Sequence, residues 1–277
     1  MARKPPEDTL NELDGKSWVK ATKSWFIINP RSRKKAELEH PAKFPEELVE
    51  RLVSFFTKSG EWIIDPFAGV GSTILGCNAI GRNAVGIELN PEFVEIAEQE
   101  LKKRKSESSG HVLQGDSRNA RQVISEHFKT DKTCFSYLLT SPPYFDMLRK
   151  SRGGNISSHK ERAKAGLRQS YSELDQDIGN ISDYSQYLES VTTVIANLKP
   201  LLCRSAYLTI IAQNMRDTDG TLRPIAWDLA RNLSRHYTLR QEMIWCQDNK
   251  RLGCWGYPTT YVSNVHHHHC IILQKDV

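Results

Sequence analysis

The sequence predicts an α/β fold, a doubly wound and mostly parallel sheet with helices on both faces. Three observations predict it. From Trp62 to Phe128, short apolar runs alternate with helix-period segments, the order that builds parallel β-α-β units. The first run, Glu61-Trp62-Ile63-Ile64-Asp65, passes through Pro66-Phe67-Ala68-Gly69-Val70-Gly71 into Ser72-Thr73. That reads as strand, glycine turn and helix start, with room for a ligand against the main chain. The last two apolar runs, 238–246 and 266–273, have no helix between them and are expected to pair as an antiparallel hairpin.

Each element has its own signal. Residues 1–35 are polar and basic, with Trp18, Trp25 and the cluster Arg31-Ser32-Arg33-Lys34-Lys35, a candidate phosphate contact. Glu47 to Phe56 reads as an amphipathic helix with Leu48, Leu52, Val53 and Phe56 on one side and Pro45 at its first turn. Thr73–Gly81 is a helix stopped by glycine. Ala84–Ile87 is a buried strand ending at Glu88, about 20 residues past the glycine turn, where an acid can accept ribose hydroxyls. Asn90 caps a helix with Pro91 at its first turn and Lys102, Lys103 and Arg104 in its last. A third strand, 111–116, ends at Asp116; a helix spans 119–128 and a fourth strand 133–139. Asp183 caps a helix whose Tyr184, Tyr187, Leu188, Val191, Ile195 and Leu198 recur at helical spacing. A strand over 206–212, a helix over 224–235 and the final hairpin bring the sheet to seven strands.

Composition bounds the function. A chain of 277 residues with 39% hydrophobic content can bury a full core as one domain. No apolar run approaches the roughly 20 residues of a membrane span, and Met1–Asp8 has no signal-peptide core, so a cytoplasmic protein is expected. Six cysteines without a Cys-x-x-Cys pattern read as reduced core residues. A net charge of +5 is compatible with a nucleic-acid partner.

The fourth strand runs into Thr140-Ser141-Pro142-Pro143-Tyr144. Two prolines cannot continue a central strand, so they make a stiff loop at the sheet's carboxyl edge, where open α/β sheets bind ligands. Together, Asp65-Pro-Phe-x-Gly-x-Gly-Ser-Thr73 and Ser141-Pro-Pro-Tyr144 resemble the S-adenosylmethionine-dependent amino-methyltransferases of DNA, from about Leu10 to Lys275. The resemblance implies a Rossmann-like class I methyltransferase fold and S-adenosyl-L-methionine as cofactor. It implies that Asp65, Pro66, Phe67, Gly69, Gly71, Ser72, Thr73 and Thr140 form the cofactor site, with Phe44 and Pro45 lining the pocket. By the same resemblance Glu88 holds the ribose and Asp116 accepts from the adenine amine. Ser141, Pro142, Pro143 and Tyr144 then hold the target base, flipped from duplex DNA. Ser at the first motif position is similar to the N4-cytosine enzymes; Asp or Asn is usual in the N6-adenine enzymes. N6-adenine transfer, RNA guanine-N2 transfer and a non-catalytic DNA-binding module stay open as alternatives. A cognate restriction endonuclease is implied as a separate partner.

The cofactor motif precedes the target motif here, and no separate recognition domain remains, so specificity falls to loops. Arg149, Lys150, Arg152, Lys160, Arg162, Lys164 and Arg168, with Glu161 as the one acid among them, mark a DNA-binding loop within 147–182. Residues 249–262, with Trp255, Tyr257 and Pro258, make a second candidate loop. In His266-His267-His268-His269, alternate strand residues face opposite sides, so the four rings cannot share one metal, and no metal site is expected.

Overall fold

The computed structural model describes residues 9–30, 45–129, 134–145, 174, 176–217, 220–250, 252–254 and 256–276. The chain runs α1 (Gly15–Ala21), β1 (Trp25–Ile27), α2 (Glu46–Phe56), β2 (Trp62–Asp65), α3 (Ser72–Ala79), β3 (Asn83–Glu88), α4 (Pro91–Lys103) and β4 (Gly110–Gln114). It continues through α5 (Ala120–Phe128), β5 (Phe135–Thr140), α6 (Tyr184–Asn197) and β6 (Leu202–Ala212). A small β7 (Met215–Arg216) and β8 (Leu222–Arg223) precede α7 (Ile225–Leu233), β9 (Thr238–Cys246) and β10 (His267–Gln274).

The main sheet has the order β1-β9-β10-β6-β5-β2-β3-β4. Strands β2 to β6 pair in parallel, while β10 lies antiparallel to both β6 and β9. From β2 the chain winds outward through β3 and β4, then returns to lay β5 on the other side of β2. The parallel neighbours β2 and β5 therefore flank the point where the winding reverses, and their carboxyl ends border a crevice.

Strand alternation builds two cores. Ile64, Val85 and Leu138 face α5, α6 and α7, whereas Ile63, Ala84, Tyr137 and Leu139 face α2, α3 and α4. A register shift between Phe135 and Tyr137 turns Phe135 to the face opposite Tyr137. Helix α2 buries Leu48, Val49, Leu52, Val53, Phe55 and Phe56. Its start is tied to the end of α4 by a two-pronged Glu46–Arg104 pair, both contacts at 2.7 Å. Caps act where the sequence places them: Asn90 accepts from Glu92 N–H at 3.0 Å and Asp183 from Gln186 N–H at 2.7 Å.

The structure departs from expectation in three places. Strand β1 adds an eighth member to the sheet, parallel to β9; three residues are too few to show a period. The β7–β8 hairpin is likewise too short to read. The cysteines are not all reduced: Cys134 and Cys203 form a disulfide, with Cα atoms 5.0 Å apart. Parallel pairing of β5 with β6 brings their starts together across 69 residues of sequence, which spacing alone does not reveal. Cys77 and Cys270 are buried free thiols, as expected of core residues. Among the described residues no helix is long and apolar enough to cross a membrane.

Candidate active site

Asp65 closes β2 as a buried carboxylate, 2% exposed. It accepts from Thr73 Oγ1 at 2.5 Å, from Thr140 Oγ1 at 2.5 Å and from Phe67 N–H at 2.9 Å. One side chain thus joins three parts of the site: the glycine turn, the first turn of α3, and the end of β5 just before Ser141. Burial pushes its carboxyl up to about 6, against the opposing pull of these three bonds.

The turn after Asp65 needs its glycines. Gly69 and Gly71 have φ of 53° and 79°, in the left-handed region. At Gly71 an added Cβ would also lie 2.9 Å from Ala97 Cβ on α4. Gly71 caps α3 without a side-chain bond, so the first N–H groups of the helix open on the crevice side of the turn. Ser117 Oγ holds the turn from beneath by donating to the Pro66 carbonyl.

Glu88, at the end of β3, accepts from Gly69 N–H at 2.8 Å through one oxygen and from Asn90 N–H at 2.8 Å through the other. It pins the glycine turn to the next strand, and each oxygen keeps a further lone pair for a ligand. Burial pushes its carboxyl up to about 7, and the nearby Asp177 and Asp65 charges add to the rise. Asp116 follows β4 and is clasped by Arg118, whose guanidinium reaches both carboxylate oxygens at 2.6–3.0 Å. Burial pushes the Asp116 carboxyl up, but the Arg118 bonds outweigh it and hold the group below the usual range.

Beyond Thr140, burial pushes the Tyr144 hydroxyl up to about 12, against the opposing pull of the nearby Ser141 hydroxyl. Tyr187 of α6, 1% exposed, donates to the Pro143 carbonyl at 2.9 Å. Phe145 packs on Tyr187 and Tyr184 with ring centroids 5.3 and 5.4 Å apart. The short turn at 177–180 leans on the same loop: a Cβ at Gly179 would sit 3.2 Å from Pro143 Cβ. Asp177 is buried there and accepts from Gly179 N–H at 2.8 Å, and Arg118 ties the segment down through the Gln176 carbonyl at 3.2 Å.

Asp65, Glu88, Thr73 and Thr140 are therefore brought together, with Pro66, Phe67, Gly69, Gly71 and Ser72 forming the turn between them. Asp116 lies at the end of β4, beyond Glu88. Pro45 precedes α2, while Phe44 and the loop cations Arg149, Lys150, Arg152, Lys160, Arg162, Lys164 and Arg168 lie outside the described residues, as does Trp255. In the second candidate loop Asn264 bonds both the N–H and the carbonyl of Gly253, at 2.8 and 3.0 Å, and Tyr257 and Tyr261 are exposed. Sequence reasoning missed Tyr187, Arg118, Ser117 and Asp177. Tyr187 had a signal, but helical spacing shows only its apolar face and not its hydroxyl.

Comparison with known proteins bears on this constellation. Residues 3–99 match the N6/N4 family model described as DNA methylase. Over that stretch the chain is similar to the N6/N4 DNA methylases. The matched segment contains the Asp65–Thr73 turn and Glu88; Asp116 and Ser141–Tyr144 lie past its end. M2.DpnII, a type II methyltransferase of Streptococcus pneumoniae, is 39% identical over 94 residues, 34% of this chain and 34% of that protein. M.Cfr9I, a type II methyltransferase of Citrobacter freundii, is 45% identical over 62 residues, 22% of this chain and 21% of that protein. The matched region thus spans about a third or less of these curated relatives. A methyltransferase from Pyrococcus furiosus shares the fold over 86% of this chain and 87% of its own, with a TM-score of 0.50 at 11% identity. The fold is that of the class I methyltransferases.

Proposed function

We propose that the protein is an S-adenosyl-L-methionine-dependent DNA methyltransferase acting on an exocyclic base amine, the N4 amine of cytosine. The observation that carries this reading is the Thr140–Asp65 hydrogen bond, which fixes the Ser141–Tyr144 loop to the glycine turn across the switch point. The acidic set Asp65, Glu88 and Asp177 suits a cationic ligand, and the open start of α3 suits the carboxylate end of one. S-adenosylmethionine carries both, and when bound it supplies an electrophilic methyl group.

The protein's part is positioning. Ser141 Oγ and the Pro142 carbonyl accept hydrogen bonds from the two amine N–H groups and turn the lone pair out of conjugation with the ring. Tyr144 offers its ring to the flipped base. Pro142 and Pro143 stiffen the loop, and Tyr187 holds it from behind, so the acceptors need little rearrangement as charge develops. Glu88 takes the ribose and Asp116 the adenine. Double-stranded DNA is the partner, approached through the loops at 147–182 and 249–262. The type II names of the relatives support a separate restriction endonuclease sharing the same site.

The test is mass spectrometry of nucleosides from duplex DNA incubated with the protein and S-adenosylmethionine. N4-methylcytosine is expected. N6-methyladenine would keep the site and overturn the argument from Ser141. A wholly unmodified pool of DNA bases would overturn the function.

A further inference from the structure

The histidine run has no part in the chemistry above, and the turn after β9 opens the 249–262 loop through which DNA approaches. His268 lies on Trp245, ring centroids 4.5 Å apart at 24°, and is 9% exposed. Its Nδ1 is buried and has no hydrogen-bond partner among the described residues. Gln247, 4% exposed, receives the run through its own N–H, which donates to the His266 carbonyl at 2.7 Å. Burial lowers the His268 and His267 rings, and the charge of half-buried Lys250 adds to the fall of both. The side chains of Gln247 and Lys250 also have no hydrogen-bond or ion-pair partner among the described residues.

The acids nearby are engaged elsewhere. Asp248 takes Asn29 Nδ2 at 2.6 Å, and Asn29 Oδ1 accepts the Asp248 N–H at 3.1 Å, which fastens the turn to the end of β1. Glu242 pairs with His269 at 2.6 Å, and His269 faces Trp227 while His268 faces Trp245. What remains is an ammonium, a ring nitrogen and an amide, partly desolvated and without a counterion among the described residues. Leaving the buried His268 Nδ1 unsatisfied is unfavourable. A ligand that accepts from His268 Nδ1 removes that cost and can accept from the other two groups as well, and the positive charge of Lys250 selects an anion.

The location selects the source of the anion. Residue His269 pairs with Ala212 of β6, and Ile210 of β6 with Thr140 of β5, so the start of β10 shares the carboxyl edge that carries Ser141. It stands two strand spacings from β5, roughly 10 Å. In sequence, Arg31-Ser32-Arg33-Lys34-Lys35 begins directly after Asn29-Pro30. We propose that Lys250, His268 and Gln247 form a phosphate-accepting site that holds the nucleic-acid backbone beside the transfer loop, an inference that rests on the DNA methyltransferase reading.

Two measurements on the full chain test it. In the first, inorganic phosphate is titrated into protein carrying 15N-labelled histidine, and the His268 ring nitrogens are expected to shift. In the second, duplex DNA affinity is followed against salt for the wild type, Lys250→Met and Lys250→Arg. Lys250→Met is expected to reduce the logarithmic salt slope by about one, with the arginine variant restoring it. A shifted His268 with an unchanged slope overturns the nucleic-acid source and leaves an adventitious ion only. A changed slope with a still His268 overturns the three-residue site. Methylation that proceeds while both readouts stay flat overturns this inference but not the proposed function; a shifted His268 and a reduced slope in a protein that modifies no DNA overturn the methyltransferase reading and keep only the phosphate contact with nucleic acid.

Discussion

At the scale of single residues, the site separates two kinds of work. Ser141 and Tyr144 stand after the Asp65–Thr140 link, so the end of β5 separates them from the glycine turn. Ser141→Ala and Tyr144→Ala are expected to abolish methyl transfer while S-adenosylmethionine binding, followed by calorimetry, stays within a few-fold of wild type; normal turnover by either would remove them from the active site. Asp65 does structural work that is proton-linked. Its folded carboxyl is raised to about 6 from 3.8, so the native state holds the proton more tightly than the unfolded chain. Stability from this group is complete below the unfolded value and is lost as pH rises through the folded one, roughly 3 kcal/mol in all. Urea unfolding at pH 4.5 and 7.5 is expected to show that loss in the wild type and a smaller one in Asp65→Asn. An equal loss in both would mean that Asp65 ionises alike folded and unfolded.

At the scale of elements, the loop after β5 owes its shape to a helix far along the chain. Tyr187 sits 44 residues beyond Pro143 and donates to its carbonyl from α6. Tyr187→Phe keeps the packing but leaves the Pro143 carbonyl unsatisfied, a cost of about 1–3 kcal/mol. Turnover is expected to fall about tenfold at unchanged cofactor affinity, measured as kcat against cofactor Kd. The start of the same strand carries the disulfide. Six cysteines less the Cys134–Cys203 pair leave four free thiols, the number expected on titration in denaturant without reductant. Cys203→Ser is expected to cost about 2–4 kcal/mol of unfolding free energy, because it releases a long loop in the unfolded chain; six titratable thiols in the wild type would remove the bridge. These two elements also mark what the sequence makes legible. Asp65, the glycine turn, Glu88 and Asn90 were readable because local signals, a strand end, positive-φ glycines and a cap, carry them. Tyr187, Arg118 and the Cys134–Cys203 contact were not, because each depends on which strands and helices become neighbours, a tertiary choice with no local period. The extra strand β1 was lost for the complementary reason, being too short to show alternation.

At the scale of the whole molecule, the winding order concentrates acid at one place. Because β2, β3 and β5 end side by side, Asp65 and Glu88 approach each other, and the returning segment adds Asp177. Burial raises Glu88 to about 7 and Asp65 to about 6, with their mutual repulsion contributing to Glu88. Between pH 5 and 7 the folded protein without cofactor therefore carries protons on carboxylates that are ionised in the unfolded chain. A cation placed among them reverses the balance: it favours the charged forms, lowers both values and expels protons. S-adenosylmethionine binding is accordingly expected to tighten as pH rises from 5.5 to 7.5 and to release protons to the buffer near pH 6. Calorimetry in two buffers of different ionisation enthalpy reads that release directly, and Glu88→Gln is expected to diminish it. Binding that took up protons, or an affinity that weakened with rising pH, would show that the acidic crevice does not receive the cationic end of the cofactor.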